Sequence, residues 1–172
     1  QSISYTYSEP TIFFELMLAT ARLATEQGLK NIMVSNGFMS PQCLQELAPW
    51  IHAANIDLKA FRELFYREHC GARLQPVLDN LKRMKHELGW WVEVTTLVIP
   101  GLNDSLNELA QAAVFIAEEL GQDTPWHLSR FHPDYKMLNR PPTSLETLED
   151  AHALGLDAGL RYVYIGNVPG HD

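Results

Sequence analysis

Two residues with opposite charge and acid–base capacity, Asp57 and Lys59, stand two apart in Asn-Ile-Asp-Leu-Lys-Ala-Phe, residues 55–61. The stretch otherwise reads as a buried β-strand, and a strand puts residues two apart on one face. Asp57 and Lys59 therefore share a face, and Ile56 and Leu58 take the other. A charge held inside a parallel sheet structure needs a partner or a ligand, because removing it from water is costly. Three chemistries are open. The two can pair as a structural salt bridge, Lys59 can form a Schiff base with a carbonyl substrate, or both can bind a polar ligand.

Five other places carry polar groups where strands should end. Glu9 precedes Pro10; Ser35 and Asn36 precede Gly37; Thr95 shares a strand face with Glu93; His132 follows Leu-Ser-Arg-Phe; and Asn167 follows Tyr-Ile-Gly. Each has an ordinary reading. Glu9 can cap the next helix, Ser-Asn-Gly can be a turn, Thr95 can be β-branched filling and His132 a loop histidine. Together they suit a different task. Glu9 can take an ammonium, Lys59 a carboxylate, and Ser35, Asn36 and Asp57 hydroxyls. That set fits a zwitterionic ligand with hydroxyl groups, such as an amino acid joined to a ribose.

The elements that must position these groups repeat along the chain. Ser2–Tyr7, Asn31–Ser35, Asn55–Ala60, Trp90–Ile99, Trp126–Phe131 and Arg161–Gly166 read as six strands, with a helical run after each of the first five. Ser40 and Pro41 mark one helix start, Asp104 or Ser105 another and Ser144 a third, while a break near Gly71 divides the third run. Strands alternating with helices predict βαβ units and a parallel sheet, whose ligands sit at the C-terminal strand ends. An eightfold barrel takes about 250 residues. The expectation is thus an α/β fold in one domain over residues 1–172, a parallel partial barrel of the TIM kind.

Composition sets further limits. The 172 residues are 46% hydrophobic and 20% charged, with a net charge of -8. This is a globular composition with no basic tract, so neither nucleic acid nor an anionic membrane surface is an expected partner. No apolar run reaches the roughly 18 residues a membrane helix needs. Cys43 and Cys70 lie far apart and form no metal-binding spacing, which points to inert thiols in an intracellular, cytoplasmic protein. No metal ligand set and no residue for direct catalysis is expected within the chain.

The ordered set Tyr-Thr-Tyr-Ser-Glu-Pro-Thr, Val-Ser-Asn-Gly-Phe, Asn-Ile-Asp-Leu-Lys-Ala-Phe, Val-Thr-Thr-Leu-Val-Ile-Pro-Gly-Leu-Asn-Asp, Leu-Ser-Arg-Phe-His-Pro-Asp-Tyr and Tyr-Val-Tyr-Ile-Gly-Asn-Val-Pro-Gly resembles radical S-adenosylmethionine (SAM) enzymes. The likeness is to those related to pyruvate formate-lyase activating enzyme, and within them to the AmmeMemoRadiSam system branch. It covers essentially the whole chain. It implies a (βα)6 partial barrel that binds SAM and a [4Fe-4S] cluster, and reductive cleavage of SAM to a 5'-deoxyadenosyl radical. Glu9 would meet the SAM amino group, with Tyr7 and Ser8 in place of the family's glycines. Ser35 and Asn36 would lie near the ribose and the methionine carboxylate, Asp57 and Lys59 beside that carboxylate and the ribose, and His132 near the adenosine.

The resemblance also implies a reductant such as flavodoxin or ferredoxin, a protein or small-molecule substrate, and AMMECR1-like and MEMO-like companions. Val34 and Thr95 depart from the activating enzymes, which tend to have an acid and an arginine there. The family's cluster loop, with three closely spaced cysteines, is absent from this sequence. The expectation is that the chain starts at the family's second strand, with the first strand and the cluster ligands outside it, that a short cysteine-bearing tail would follow its end, and that the chain alone is inactive.

Overall fold

In the computed structural model, residues 1–169 are described. The apolar alternation in the strands becomes a two-sided sheet. β4 (Trp91–Val98) alternates between fully buried residues and half-buried or exposed ones along its whole length. β2 (Lys30–Ser35) and β3 (Ala53–Asp57) do the same. With β1 (Ser2–Tyr5), β5 (Trp126–Arg130) and β6 (Val163–Gly166), they make a six-stranded sheet in the order β1-β2-β3-β4-β5-β6. Helices follow the strands: α1 (Phe14–Glu26), α2 (Pro41–Leu47), α3 (Glu63–Phe65), α4 (Leu74–Lys82), α5 (Leu106–Phe115) and α6 (Leu145–Asp157). The expected α/β class with a parallel sheet is what the chain forms.

Contacts divide the chain into two units. The first is Gln1–Asp57 with Gln75–Glu93; the second is Leu58–Leu74 with Val94–Asp172. In the first, β1 pairs with β2 and β2 with β3, both parallel, and Tyr5, Met33 and Ala54 lie abreast in register. These three are buried, as are Met17 and Ala21 of α1 and Leu81 of α4. One polar side chain ties the far end of this core together. Asn31, with no exposure, accepts from Tyr5 Oη at 2.9 Å and donates to the carbonyls of Ala21 and Trp50, both at 2.9 Å. A buried amide satisfied on both sides is stable there; half-satisfied, it would not be.

In the second unit β4 pairs with β5 and β5 with β6, again parallel. Val94, Trp126 and Val163 are in register and buried, with Leu128 beside them and Leu109, Ala113 and Leu148 from α5 and α6. The indole of Trp126 donates to Thr96 Oγ1 at 3.0 Å, so the largest core side chain of this unit has its polar atom met.

Local differences from the sequence expectation have identifiable causes. The third strand stops at Asp57, although alternate burial continues through Leu58 and Ala60. Beyond Asp57 side chains take the backbone groups: Leu58 O accepts from Thr96 Oγ1, Lys59 N–H donates to Tyr66 Oη, and Lys59 O accepts from Asn103 Nδ2. The first helix opens with a 3-10 turn, Pro10–Phe13. Ser40 and Ser144 cap α2 and α6 as expected, taking the N–H of Cys43 and of Thr147. At α5 the N-cap position is Ser105, but its side chain makes no capping bond; Asp104 instead takes the N–H of Gly101 in the preceding turn. Gly71, at φ 61°, ends a π turn after α3, which is the break expected there.

Candidate functional site

In the first unit the strand-end groups gather on Glu9. Its Oε1 accepts from Ser35 Oγ at 2.8 Å, and its Oε2 from the N–H of Asn36 at 2.9 Å. The ordinary reading is also realised: Oε1 takes the N–H of Thr11 at 3.3 Å and its hydroxyl at 3.1 Å, capping the 3-10 turn. The capping load falls on Oε1. A carboxylate has about four lone-pair sites, and Oε2 takes one donor among the described residues, so it keeps acceptor capacity. Tyr7, where the chain turns toward Glu9, has φ 70° and a fully exposed side chain. A non-glycine residue in that conformation carries strain, which clusters at functional sites.

The Ser35-Asn36-Gly37 turn is built to hold its N–H groups in place. Ser35 Oγ takes the N–H of Gly37, and Asn36 Oδ1 that of Phe38. Asn80 of α4, 5% exposed, donates to the carbonyls of Gly37 and Met39, both at 2.9 Å. Asp57 is the last residue of β3 and lies on its half-buried face, two along from Asn55. Cys43 sits in α2, and burial first, then Glu46 and Glu9, raises its thiol pKa.

The second unit holds Lys59, Thr95 and His132. Lys59 is half-buried, and its backbone is gripped by side chains on both sides, as described above. Glu108, 8% exposed, fixes the next residues: it takes the N–H of Phe61 at 2.9 Å and pairs with Arg62 at 3.3 Å. Thr95 lies in register with His127, and His127 with Tyr164, so the three form a row on one sheet face. The rings of His127 and Tyr164 stack, with centroids 5.2 Å apart.

His132 follows β5 and its Nε2 lies 3.2 Å from Asn167 O. A carbonyl only accepts, so in that contact Nε2 is the donor. Asn167, at φ 65°, also donates to Arg130 O. Thr143 closes the same loop by taking the N–H of Phe131 at 2.9 Å and donating to Val98 O at 2.6 Å.

The structure thus joins Glu9, Ser35 and Asn36 directly, and sets Asp57 at the end of the next strand. In the second unit Thr95 lies in β4, His132 follows β5, and Lys59 stands just past the end of β3. Sequence reasoning missed the supporting residues Tyr66, Asn80, Asn103, Glu108 and Thr143. The signal for Asn103 was a polar residue inside a Pro-Gly turn; Tyr66 and Glu108 looked like ordinary helix residues.

Hydrogen-bonding groups of this kind in the first unit fit the amino end of SAM: Glu9 Oε2 keeps acceptor capacity for an ammonium, while Ser35 Oγ and the N–H of Asn36 hold the Glu9 carboxylate in place. They do not fit an iron–sulfur cluster. The cluster that the motif resemblance implies takes at least three converging thiolates, the chain has two cysteines, and among the described residues no group of three or more His, Cys, Asp or Glu could hold a metal ion.

The sequence model of the Radical SAM superfamily matches residues 1–113. The chain belongs to that superfamily. It is 49% identical over 170 residues to an uncharacterised protein of Methanocaldococcus jannaschii, covering 99% of this chain and 50% of that protein. It is 29% identical over 114 residues to the isethionate sulfite-lyase activating enzyme of Nitratidesulfovibrio vulgaris, covering 64% of this chain and 37% of that enzyme. The chain therefore spans half the length of the first relative and less of the second.

In fold it resembles a domain of pyruvate-formate lyase-activating enzyme from Bacteroides vulgatus, with a TM-score of 0.82 at 18% identity, over 96% of this chain and 99% of that one. It also resembles Streptococcus suis SuiB bound to S-adenosylmethionine, with a TM-score of 0.73 at 16% identity, over 98% of this chain and 38% of that one. The resemblance to radical SAM enzymes drawn from the motifs stands, and so does the partial-barrel fold class. Among the described residues no helix is long and apolar enough to cross a membrane.

Proposed function

We propose that this chain is the SAM-binding core of a radical SAM enzyme of the glycyl-radical-activase kind, one barrel domain over residues 1–172, belonging to a cytoplasmic protein. The observation that carries the reading is the Glu9 carboxylate, held by Ser35 Oγ and the N–H of Asn36 across two neighbouring strand ends, with acceptor capacity left on Oε2. Glu9 receives the ligand ammonium, Ser35 and Asn36 stand near the carboxylate and ribose, where the Asn36 side-chain NH2 donates to the ligand while Ser35 Oγ and the Asn36 N–H keep Glu9 in place, and Asp57 accepts from a ribose hydroxyl. Lys59 neutralises the carboxylate, Thr95 lines the same ligand, and His132 meets the adenosine. Held by Glu9, Ser35, Asn36, Asp57 and Lys59, SAM would supply one-electron chemistry when paired with a cluster ligated from outside these residues.

The cluster's thiolates come from outside these 172 residues, because Cys43 and Cys70 are too few and both are held as thiols. A flavodoxin- or ferredoxin-like protein supplies the electron, and the radical's target is a protein or small molecule. AMMECR1-like and MEMO-like proteins are its companions by family likeness.

The test is calorimetric titration of S-adenosylhomocysteine, which keeps the amino acid and the ribose, into the protein and into Glu9→Gln and Lys59→Ala. Losing one charge-assisted contact removes about 1.5–3 kcal/mol, so affinity falls roughly tenfold to a hundredfold in each variant. Affinity unchanged in both variants, or no binding by the parent protein, refutes the proposal.

A further inference from the structure

The backbone on either side of Lys59 is fixed by side chains from three separate elements, all in the second unit. The peptide linking Leu58 to Lys59 is held at both ends: Thr96 Oγ1 donates to its carbonyl at 2.9 Å, and its N–H donates to Tyr66 Oη at 3.1 Å. The next peptide is held at its carbonyl by Asn103 Nδ2 at 2.6 Å. Two fixed peptide planes determine φ and ψ of the residue between them, and so the direction of its Cα–Cβ bond. None of the three holding groups is free to drift. Thr96, Tyr66 and Asn103 are 2%, 2% and 1% exposed. Thr96 is itself held by the Trp126 indole, and Asn103 by the N–H of Ile99 at 2.6 Å and the carbonyl of Leu97 at 2.8 Å.

A strand ladder would satisfy the same groups more simply. Here the ladder stops at Asp57 and side chains take over for the one residue whose ammonium the binding reading needs. We infer that Tyr66 and Asn103 are positioning residues for Lys59, setting where its ammonium stands without touching the ligand. The inference rests on Lys59 binding the carboxylate of an adenosylated amino acid. The loss of a bond that only stabilised the loop would lower melting temperature and change ligand affinity equally with or without the Lys59 side chain.

The experiment is a double-mutant cycle read by S-adenosylhomocysteine affinity, with melting temperature measured in parallel. Tyr66→Phe keeps the buried ring and removes one hydroxyl; Asn103→Ser, shorter, withdraws the amide from Lys59 O. Each should weaken binding about threefold to tenfold in the Lys59 protein, the size of one hydrogen bond. Each should change it less than about twofold when Lys59 is already Ala. Equal losses in both backgrounds, or no loss from either variant with Lys59 present, overturn the positioning role while leaving the binding reading intact. Unchanged affinity in Lys59→Ala alone overturns the reading of Lys59, and this inference with it.

Discussion

Gly37 and Gly28 share a backbone conformation and differ in their surroundings, which allows the packing behind the Ser-Asn-Gly turn to be weighed on its own. Both have φ +72°. A Cβ at Gly37 would stand 2.7 Å from Ile56 Cγ2 and 3.2 Å from Val77 Cγ1, whereas at Gly28 nothing lies within 4 Å. Ile56 and Val77 have no solvent exposure, so neither can swing aside into water. Alanine at either site takes on the left-handed penalty of about 1–2 kcal/mol. It also lowers the entropy of the unfolded chain equally at both. Gly37→Ala adds overpacking of about 1–3 kcal/mol, and that surplus should lower its melting temperature by about 2–12 °C more than Gly28→Ala does in a chain of this size.

The assay is thermal unfolding of the two variants side by side, followed by circular dichroism. The turn carries Ser35 and Asn36, so Gly37→Ala should also weaken S-adenosylhomocysteine binding, and Gly28→Ala should not. Equal melting temperatures for the two variants would refute the argument, because the packing against Ile56 and Val77 would then yield at no cost.

Two further outcomes follow from ionisation. Burial first, then Lys30, lowers the pKa of His52, whose Nδ1 accepts the N–H of Asn31 at 3.2 Å. With the folded value below the unfolded one of about 6.5, the unfolded state binds more protons below that pH. His52 therefore contributes stability that is fully present above about pH 6.5 and is lost as pH falls toward its folded value. Between about pH 7.5 and about pH 5.5 the melting temperature should fall more for the parent protein than for His52→Gln; parallel curves would contradict this. Burial also raises the thiol pKa of Cys43 and Cys70. Iodoacetamide at neutral pH should alkylate both more slowly than free cysteine, and reaction as fast as free cysteine at either one would show the burial argument wrong.

Much of the fold was legible because period-two alternation in β4 and the caps at Ser40 and Ser144 are local signals, written in adjacent residues. The end of β3 was not. Asn-Ile-Asp-Leu-Lys-Ala alternates through Ala60 in burial, and only distant side chains, Tyr66, Thr96 and Asn103, end its pairing. At α5 the sequence left Asp104 and Ser105 open for a related reason: Ser105 takes the N-cap position without a side-chain bond, while Asp104 had the right chemistry and a nearer claim on it from Gly101 N–H. For the site, the residue types at the strand ends could be read directly. That Glu9, besides the capping its place before Pro10 suggested, bridges to Ser35 and Asn36 could not, since 26 residues separate Glu9 from Ser35. Asn80 and Glu108 support the turns from helices whose sequence pattern marks them only as polar positions.

The most direct measurement is a crystal structure of the protein with S-adenosylmethionine. The account predicts the ligand ammonium within hydrogen-bond distance, about 3 Å, of Glu9 Oε2, with its carboxylate at Lys59 and its adenosine toward His132. A ligand bound away from Glu9 and Lys59, or with its amino acid end turned from both, would contradict it.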